Sequence, residues 1–405
     1  MDKILIKGVN IMKKESIPLF KVFMSEDAIQ ASSEVLRSGY IGQGIVVDQF
    51  EKAIQDFIGD APTVVTTNSA TSAEHLVFHM LKDKGKTANI HLGQMNWPGI
   101  SEEDEILTTP LTCTATNWPI LANKMRIKWV DVDPNTCNMD LDDLERKITR
   151  KTKAIMIVHW GGYPLDLDRI KQIQEKAFSL FGFRPIVIED CAHAFGSTYK
   201  NKRIGSHGNI STFSFQAIKH LTSGDGGCIV FPEGYLDVAN RAKLLRWFGI
   251  DRNQNRKDFR CETDISEYGF KMHMNDINAS IGLANLSKIN MVLDRHIENA
   301  RYYNENLSNT SGVTLMENKN DRQSAYWLYT IKVDRRDDFM KMMAEKGIVV
   351  SRVHERNDIH SCVSQYKTIL PNLDGLVGEM ICIPVGWWIN DEQREYIVDS
   401  IKGGW

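Results

Sequence analysis

Two hydrophobic rhythms alternate along the first half of the chain. Short apolar runs at 63–67, 105–109, 128–133, 154–158, 187–190, 211–215 and 228–231 read as strands. Between them, apolar positions recur at helical spacing over 73–81, 141–148, 167–178 and 236–247. Strands alternating with helices across 60–230 predict an α/β fold, with a mostly parallel sheet flanked by helices. Two amphipathic helices precede it, at 26–36 and 46–57, joined by the glycine-rich stretch 37–44. The stretch 249–263 is polar and aperiodic, a long loop of the kind that is functional or mobile. Small residues on the apolar face of 275–289 mark a packing helix. From about 325 the pattern changes to an alternating strand at 326–333, a helix at 337–346, a strand at 347–350 and a closing helix at 391–401. The expected layout is a large domain over 1–248 and a smaller C-terminal α+β domain over 249–405.

Composition narrows the field. A chain of 405 residues exceeds the usual size of one core, which fits two domains. A net charge of -3 offers no bulk attraction to nucleic acid or to an anionic membrane. The seven cysteines are scattered and form no CxxC pair, so neither a disulfide framework nor a metal site is expected. The N-terminus lacks a signal-peptide pattern, and no apolar stretch approaches the ~18 residues needed to span a bilayer. A cytoplasmic location is the expectation.

Chemistry concentrates between 187 and 227. Val187-Ile188-Glu189-Asp190 closes one strand on a carboxylate. Phe213-Ser214-Phe215 leads to Lys219 and then to Asp225-Gly226-Gly227. Ligands of α/β sheets bind in the crevice outside the carboxyl ends of the strands. A carboxylate and an amine in one such crevice suit pyridoxal phosphate, the amine for covalent attachment and the carboxylate for the pyridine nitrogen. Upstream, the strand 63–67 enters a helix through Asn68-Ser69-Ala70-Thr71-Ser72. Small hydroxyl-bearing residues at a helix N-terminus suit a phosphate, although ordinary N-capping is the better explanation of this stretch taken alone.

Taken in order, these motifs resemble the DegT/DnrJ/EryC1/StrS sugar aminotransferases among the fold-type I, aspartate-aminotransferase-like enzymes. The resemblance runs over nearly the whole chain. It is carried by Leu36 to Glu51, by Ser69-Ala70-Thr71-Ser72, by Glu189-Asp190-Cys191-Ala192-His193-Ala194, and by Phe213-Ser214-Phe215 with Lys219 before Asp225-Gly226-Gly227. It implies that Lys219 carries the Schiff base and moves protons, that Asp190 meets the pyridine nitrogen, and that His193 lies near the phenolic oxygen. It implies that Ser69, Ala70, Thr71 and Ser214 hold the phosphate, and that pyridoxamine phosphate is the half-reaction form.

Two positions depart from the family pattern. Cys113 stands where an aromatic residue covers the cofactor ring, which leaves Trp118 or Trp160 as possible replacements. Gly269-Phe270-Lys271 stands where a Gly-Tyr-Asn segment reaches the partner's phosphate, so Lys271 would meet it as a point charge. The resemblance also implies a homodimer with shared active sites and substrate contacts from Tyr40, Arg246, Arg352, His354 and His360. The expected reaction moves an amino group from an amino acid, L-glutamate by the resemblance, to a keto-sugar that the resemblance implies is nucleotide-linked. A dehydratase on the same scaffold, marked by histidine at the lysine position, is the alternative; His220 lies one residue away. A non-catalytic binding relative is the third reading.

Overall fold

The computed structural model describes residues 16–60, 62–82, 97–252 and 264–405. A seven-stranded sheet has the order β1-β9-β8-β5-β4-β2-β3. Its strands are β1 (Thr63–Thr67), β2 (Glu105–Thr108), β3 (Arg126–Trp129), β4 (Thr152–Val158), β5 (Ile186–Asp190), β8 (Ile210–Ser214) and β9 (Gly227–Phe231). All neighbours run parallel except β9, which is antiparallel to both β1 and β8. Every residue of β4, β5, β8 and β9 is buried. That is the expected consequence of a sheet covered on both faces.

Successive residues of each strand enter opposite cores, as the period of two requires. Val65, Ile106, Met156, Ile188 and Ile229 join one hydrophobic layer. Val64, Leu107, Ile155, Val187 and Val230 join the other. Helices supply the outer faces: α1 (Glu26–Ser38), α2 (Ile45–Ile58), α3 (Ala70–Leu81), α4 (Thr114–Ala122), α5 (Leu141–Lys147), α6 (Leu167–Phe181) and α7 (Leu236–Leu245). α8 (Asp276–Leu286) packs against α1 and α2. Asp276 Oδ1 there accepts from the Gly44 and Val47 backbone N–H groups at 2.8 and 3.2 Å.

The long α9 (Ile289–Leu307) leads to a second sheet. Its strands β10 (Val313–Leu315), β12 (Tyr329–Val333) and β13 (Met380–Ile383) are antiparallel. A third core of its own packs this sheet with α10 (Arg336–Glu345) and α11 (Asp391–Lys402). The short β11 (Arg322–Gln323) pairs with β6 (Thr198–Tyr199), which pairs with β7 (Lys202–Arg203). No helix among the described residues is long and apolar enough to cross a membrane.

The expected strand at 347–350 does not form. Ile348 makes only a parallel bridge to Ile17, with Ile17 N–H to Gly347 O at 2.8 Å and Val349 N–H to Ile17 O at 3.0 Å. Its apolar residues satisfy an N-terminal segment that brings Leu19 and Phe20 to the site. Of the long loop at 249–263, residues 253–263 lie outside the described residues.

Candidate active site

The ends of β5 and β8 open onto a cavity of about 780 Å³. Asp190 is the last residue of β5 and pairs in register with Thr212 of β8. Its Oδ2 accepts from Thr116 Oγ1 at 2.6 Å and its Oδ1 from the Ala192 N–H at 2.9 Å. Thr116 in turn shares a hydrogen bond with Thr112 at 2.8 Å. The carboxylate is therefore fixed in one orientation at the cavity floor.

Behind it lies a closed polar network. His159 Nδ1 accepts from the Leu165 N–H at 3.0 Å, so its other nitrogen carries the proton and donates to Glu189 Oε2 at 2.9 Å. Asn209 donates to the other Glu189 oxygen at 2.7 Å. Burial raises the Glu189 carboxyl, but His159 and Asn209 bring it below its ordinary value. Cys191 completes a cluster of potential metal ligands with His159 and Glu189. The facing atoms of His159 and Glu189 are already bonded to each other, and burial pushes the Cys191 thiol up. This cluster braces the strand that carries Asp190.

Beyond β8 the chain turns so that Lys219 faces the cavity and His220 faces away. His220 is buried, and its Nε2 donates to Ala325 O at 2.9 Å. Burial pushes the Lys219 ammonium down to about 7, with Asp190 and then Cys113 pulling it back up. His193 is buried and held well below its ordinary value by burial and by Lys219, so it is neutral. It stacks on Trp327 at 3.9 Å, and its Nδ1 accepts from the Gly161 N–H at 3.4 Å.

Helix α3 points its N-terminus at the same cavity. Ser69 caps it by accepting from the Ser72 N–H at 3.1 Å, and Ser69, Ala70 and Thr71 line the wall. The first N–H groups of a helix have no intrahelical partner. Gly227 of β9 lies directly behind: a Cβ there would stand 2.4 Å from the Ala70 nitrogen. Ser214, Cys113 and Asp225 also line the cavity.

The other expected site residues distribute unevenly. His354 lines the cavity, stacked parallel to His193 at 5.6 Å, and its Nε2 has no partner. Arg246 does not. It is 2% exposed and bonds Glu51 at 2.5 Å and Thr66 O at 2.7 Å, so it ties α7 to α2 and β1. Arg352 pairs with Glu355 at 2.6 Å, and His360 packs against Trp118, both off the cavity wall. Tyr40 is 84% exposed, and Lys271 bridges Trp247 outside this chain's own cavity. Neither Trp118 nor Trp160 lines the cavity; Trp160 donates to Thr330 at 3.0 Å.

Sequence reasoning missed Trp327, Thr116 and Glu74. Trp327 lies in the alternating run at 326–333, where its spacing reads as core. Thr116 sits one helical turn from Thr112, a pattern indistinguishable from capping. Glu74 is buried in α3 and lines the cavity, accepting from Thr212 at 3.4 Å. Burial and the Asp190 charge hold its carboxyl well above the ordinary range.

The model of the DegT/DnrJ/EryC1/StrS aminotransferase family matches residues 23–402. The chain belongs to that family. The solved sugar aminotransferase CalS13 from Micromonospora echinospora is 43% identical, with a TM-score of 0.88 over 96% of this chain and 100% of that one. GDP-perosamine synthase of Escherichia coli O157:H7 is 31% identical over 95% of this chain and 98% of its own length. Spr1654 of Streptococcus pneumoniae has been solved in a PLP-form and a PMP-form. The PLP-form is 25% identical, with a TM-score of 0.84 over 96% of this chain and 98% of that one.

The protein is a pyridoxal-phosphate-dependent sugar aminotransferase of amino-sugar biosynthesis. Its own residues fit the cofactor. A helix N-terminus with small side chains offers an anion cradle, held in place by the close approach of its backbone to Gly227. A carboxylate braced from behind and an amine share the remaining wall.

Proposed function

We propose that Lys219 is the amine that holds the cofactor, and that the protein transfers an amino group from L-glutamate to a nucleotide-linked keto-sugar. The observation that carries this reading is which of two neighbouring residues faces Asp190 across the cavity: Lys219 does, while His220 is committed to Ala325. Pyridoxal phosphate supplies a carbonyl for the amino group and a ring that accepts electrons. The chain's residues supply the rest. Helix α3 and Ser214 offer N–H and hydroxyl donors to the phosphate. Asp190 presents an oriented carboxylate to the pyridine nitrogen, braced by Thr116. With its proton lost near pH 7, Lys219 can both attack and carry a proton in the neutral range. His193, kept neutral, offers a ring nitrogen without adding charge near that amine. His354 lines the same wall, its ring parallel to that of His193 and held well below its ordinary value by burial.

The same reading makes the working unit a homodimer. Tyr40, Ile45 and Tyr268 leave 84%, 67% and 71% of their surfaces in solvent, which a second copy would cover. Lys271, outside its own cavity, is free to serve the partner's.

The test is turnover with L-glutamate and a panel of nucleotide-linked keto-sugars, read by product mass. The parent protein should give an amino-sugar and 2-oxoglutarate, and Lys219→Ala should lower the rate by at least about a thousandfold. Undiminished transfer by Lys219→Ala would refute the assignment of the lysine. A deoxygenated product with released ammonia would refute transamination.

A further inference from the structure

We propose that the indole face of Trp327 is the seat on which Lys219 rests its free amine, and that this seat sets how tightly the amine holds a proton. Lys219 Nζ lies 3.4 Å from the Trp327 ring centroid, well within the ~6 Å reach of a cation–π contact. Among the described residues the amine makes no hydrogen bond or ion pair. Its position is defined by the ring.

The ring itself is fixed from three directions. Trp327 Nε1 donates to the carbonyl of Ile218, the residue before the lysine, at 2.9 Å. His193 stacks on it at 3.9 Å and Phe20 at 5.0 Å. Its backbone is pinned by two buried histidines: His220 holds Ala325 O at 2.9 Å and His296 holds Tyr326 O at 2.8 Å. Tyr326 sits between them at φ 52°, a left-handed conformation a bulky residue adopts only under such restraint. Residues from four distant parts of the chain thus hold one aromatic face under one amine.

A π-face is a particular kind of partner. A carboxylate at this distance would keep the lysine protonated far above neutrality. An aromatic face stabilises the ammonium modestly and accepts no proton, so the amine keeps its place in either protonation state. The groups facing Lys219 fit that role. Asp190 has both oxygens engaged by Thr116 and Ala192, the buried His193 and the half-buried His354 are neutral, and Cys113 lines the wall. Trp327 is a positioning residue for the lysine. This inference rests on Lys219 being the reactive amine, but its test reads the amine without turnover, so the two can fail separately.

The experiment is trace acetylation of the cofactor-free full chain by acetic anhydride across about pH 5 to 10, with the extent at Lys219 read by peptide mass. Trp327→Leu should move the labelling midpoint down by about one pH unit, a tenfold change in proton affinity. Trp327→Phe keeps an aromatic face while losing the indole N–H, and should retain most of the parent midpoint. An unchanged midpoint in Trp327→Leu would overturn the proposal. So would equal drops in both variants, which would assign the effect to the bond with Ile218. Should Trp327→Leu fail to fold, tryptophan fluorescence decides: the parent should show a pH transition at the Lys219 midpoint that Lys219→Met lacks. Identical titrations would overturn the proposal.

Discussion

Asp190, buried, and Lys219, half-buried, are held in different ways. Asp190 is held by donors, a hydroxyl at 2.6 Å and a backbone N–H at 2.9 Å, whereas Lys219 is left with a π-face. Removing the hydroxyl should therefore be costly. A hydrogen bond to a charged group contributes about 1.5–3 kcal/mol, so Thr116→Val should raise the cofactor dissociation constant about ten- to a hundredfold. Thr116→Ser should restore it. Spectrophotometric titration with pyridoxal phosphate measures both, and parental affinity in Thr116→Val would contradict the role. The pair itself was legible because each residue ends or follows an apolar run with its own motif. Trp327 and Thr116 were not legible, because their partners lie 108 and 74 positions away and no local pattern marks a contact made only by folding. Arg246 shows the opposite error: a basic residue beside aromatics reads as a ligand contact until Glu51 is found against it.

Among elements, the junction of β9 with the start of α3 decides whether a phosphate can be held. Gly227 is the register partner of Thr67, and its missing side chain lets the Ala70 backbone approach. Gly227→Ala should push the helix start outward and weaken cofactor binding at least about tenfold, with the far-ultraviolet circular dichroism unchanged. Retained affinity would show that the cradle lies elsewhere. Strand and helix identities around this junction were readable from period alone, since fully buried strands leave unbroken apolar runs. The segment 347–350 carried the same signal and still failed to become a strand. Its apolar residues are satisfied by Ile17 and the N-terminal segment, a pairing across 330 residues that periodicity cannot distinguish from a sheet.

Across the whole molecule, three buried histidines and the half-buried His354 gather around the lysine and its tryptophan. Burial holds His296 and His354 down to about 4, and His193 and His220 well below their ordinary value of 6.5. As the pH falls from 6.5 towards 4, the unfolded chain takes up protons that the folded chain refuses. Stability should be present above pH 6.5 and fall steeply below it, which melting curves across that range would show. A melting temperature that stays level down to pH 4.5 would contradict the burial of neutral imidazoles. The parallel sheet and the family were open to sequence reasoning. The clustering of these histidines was not, because they come from four separate elements.

The most direct measurement is borohydride reduction of the protein loaded with pyridoxal phosphate, followed by peptide mass mapping. A single reduced pyridoxyl adduct on Lys219, lost when the protein is first treated with L-glutamate, is the predicted result. An adduct on another lysine, or none, would contradict the account of the site.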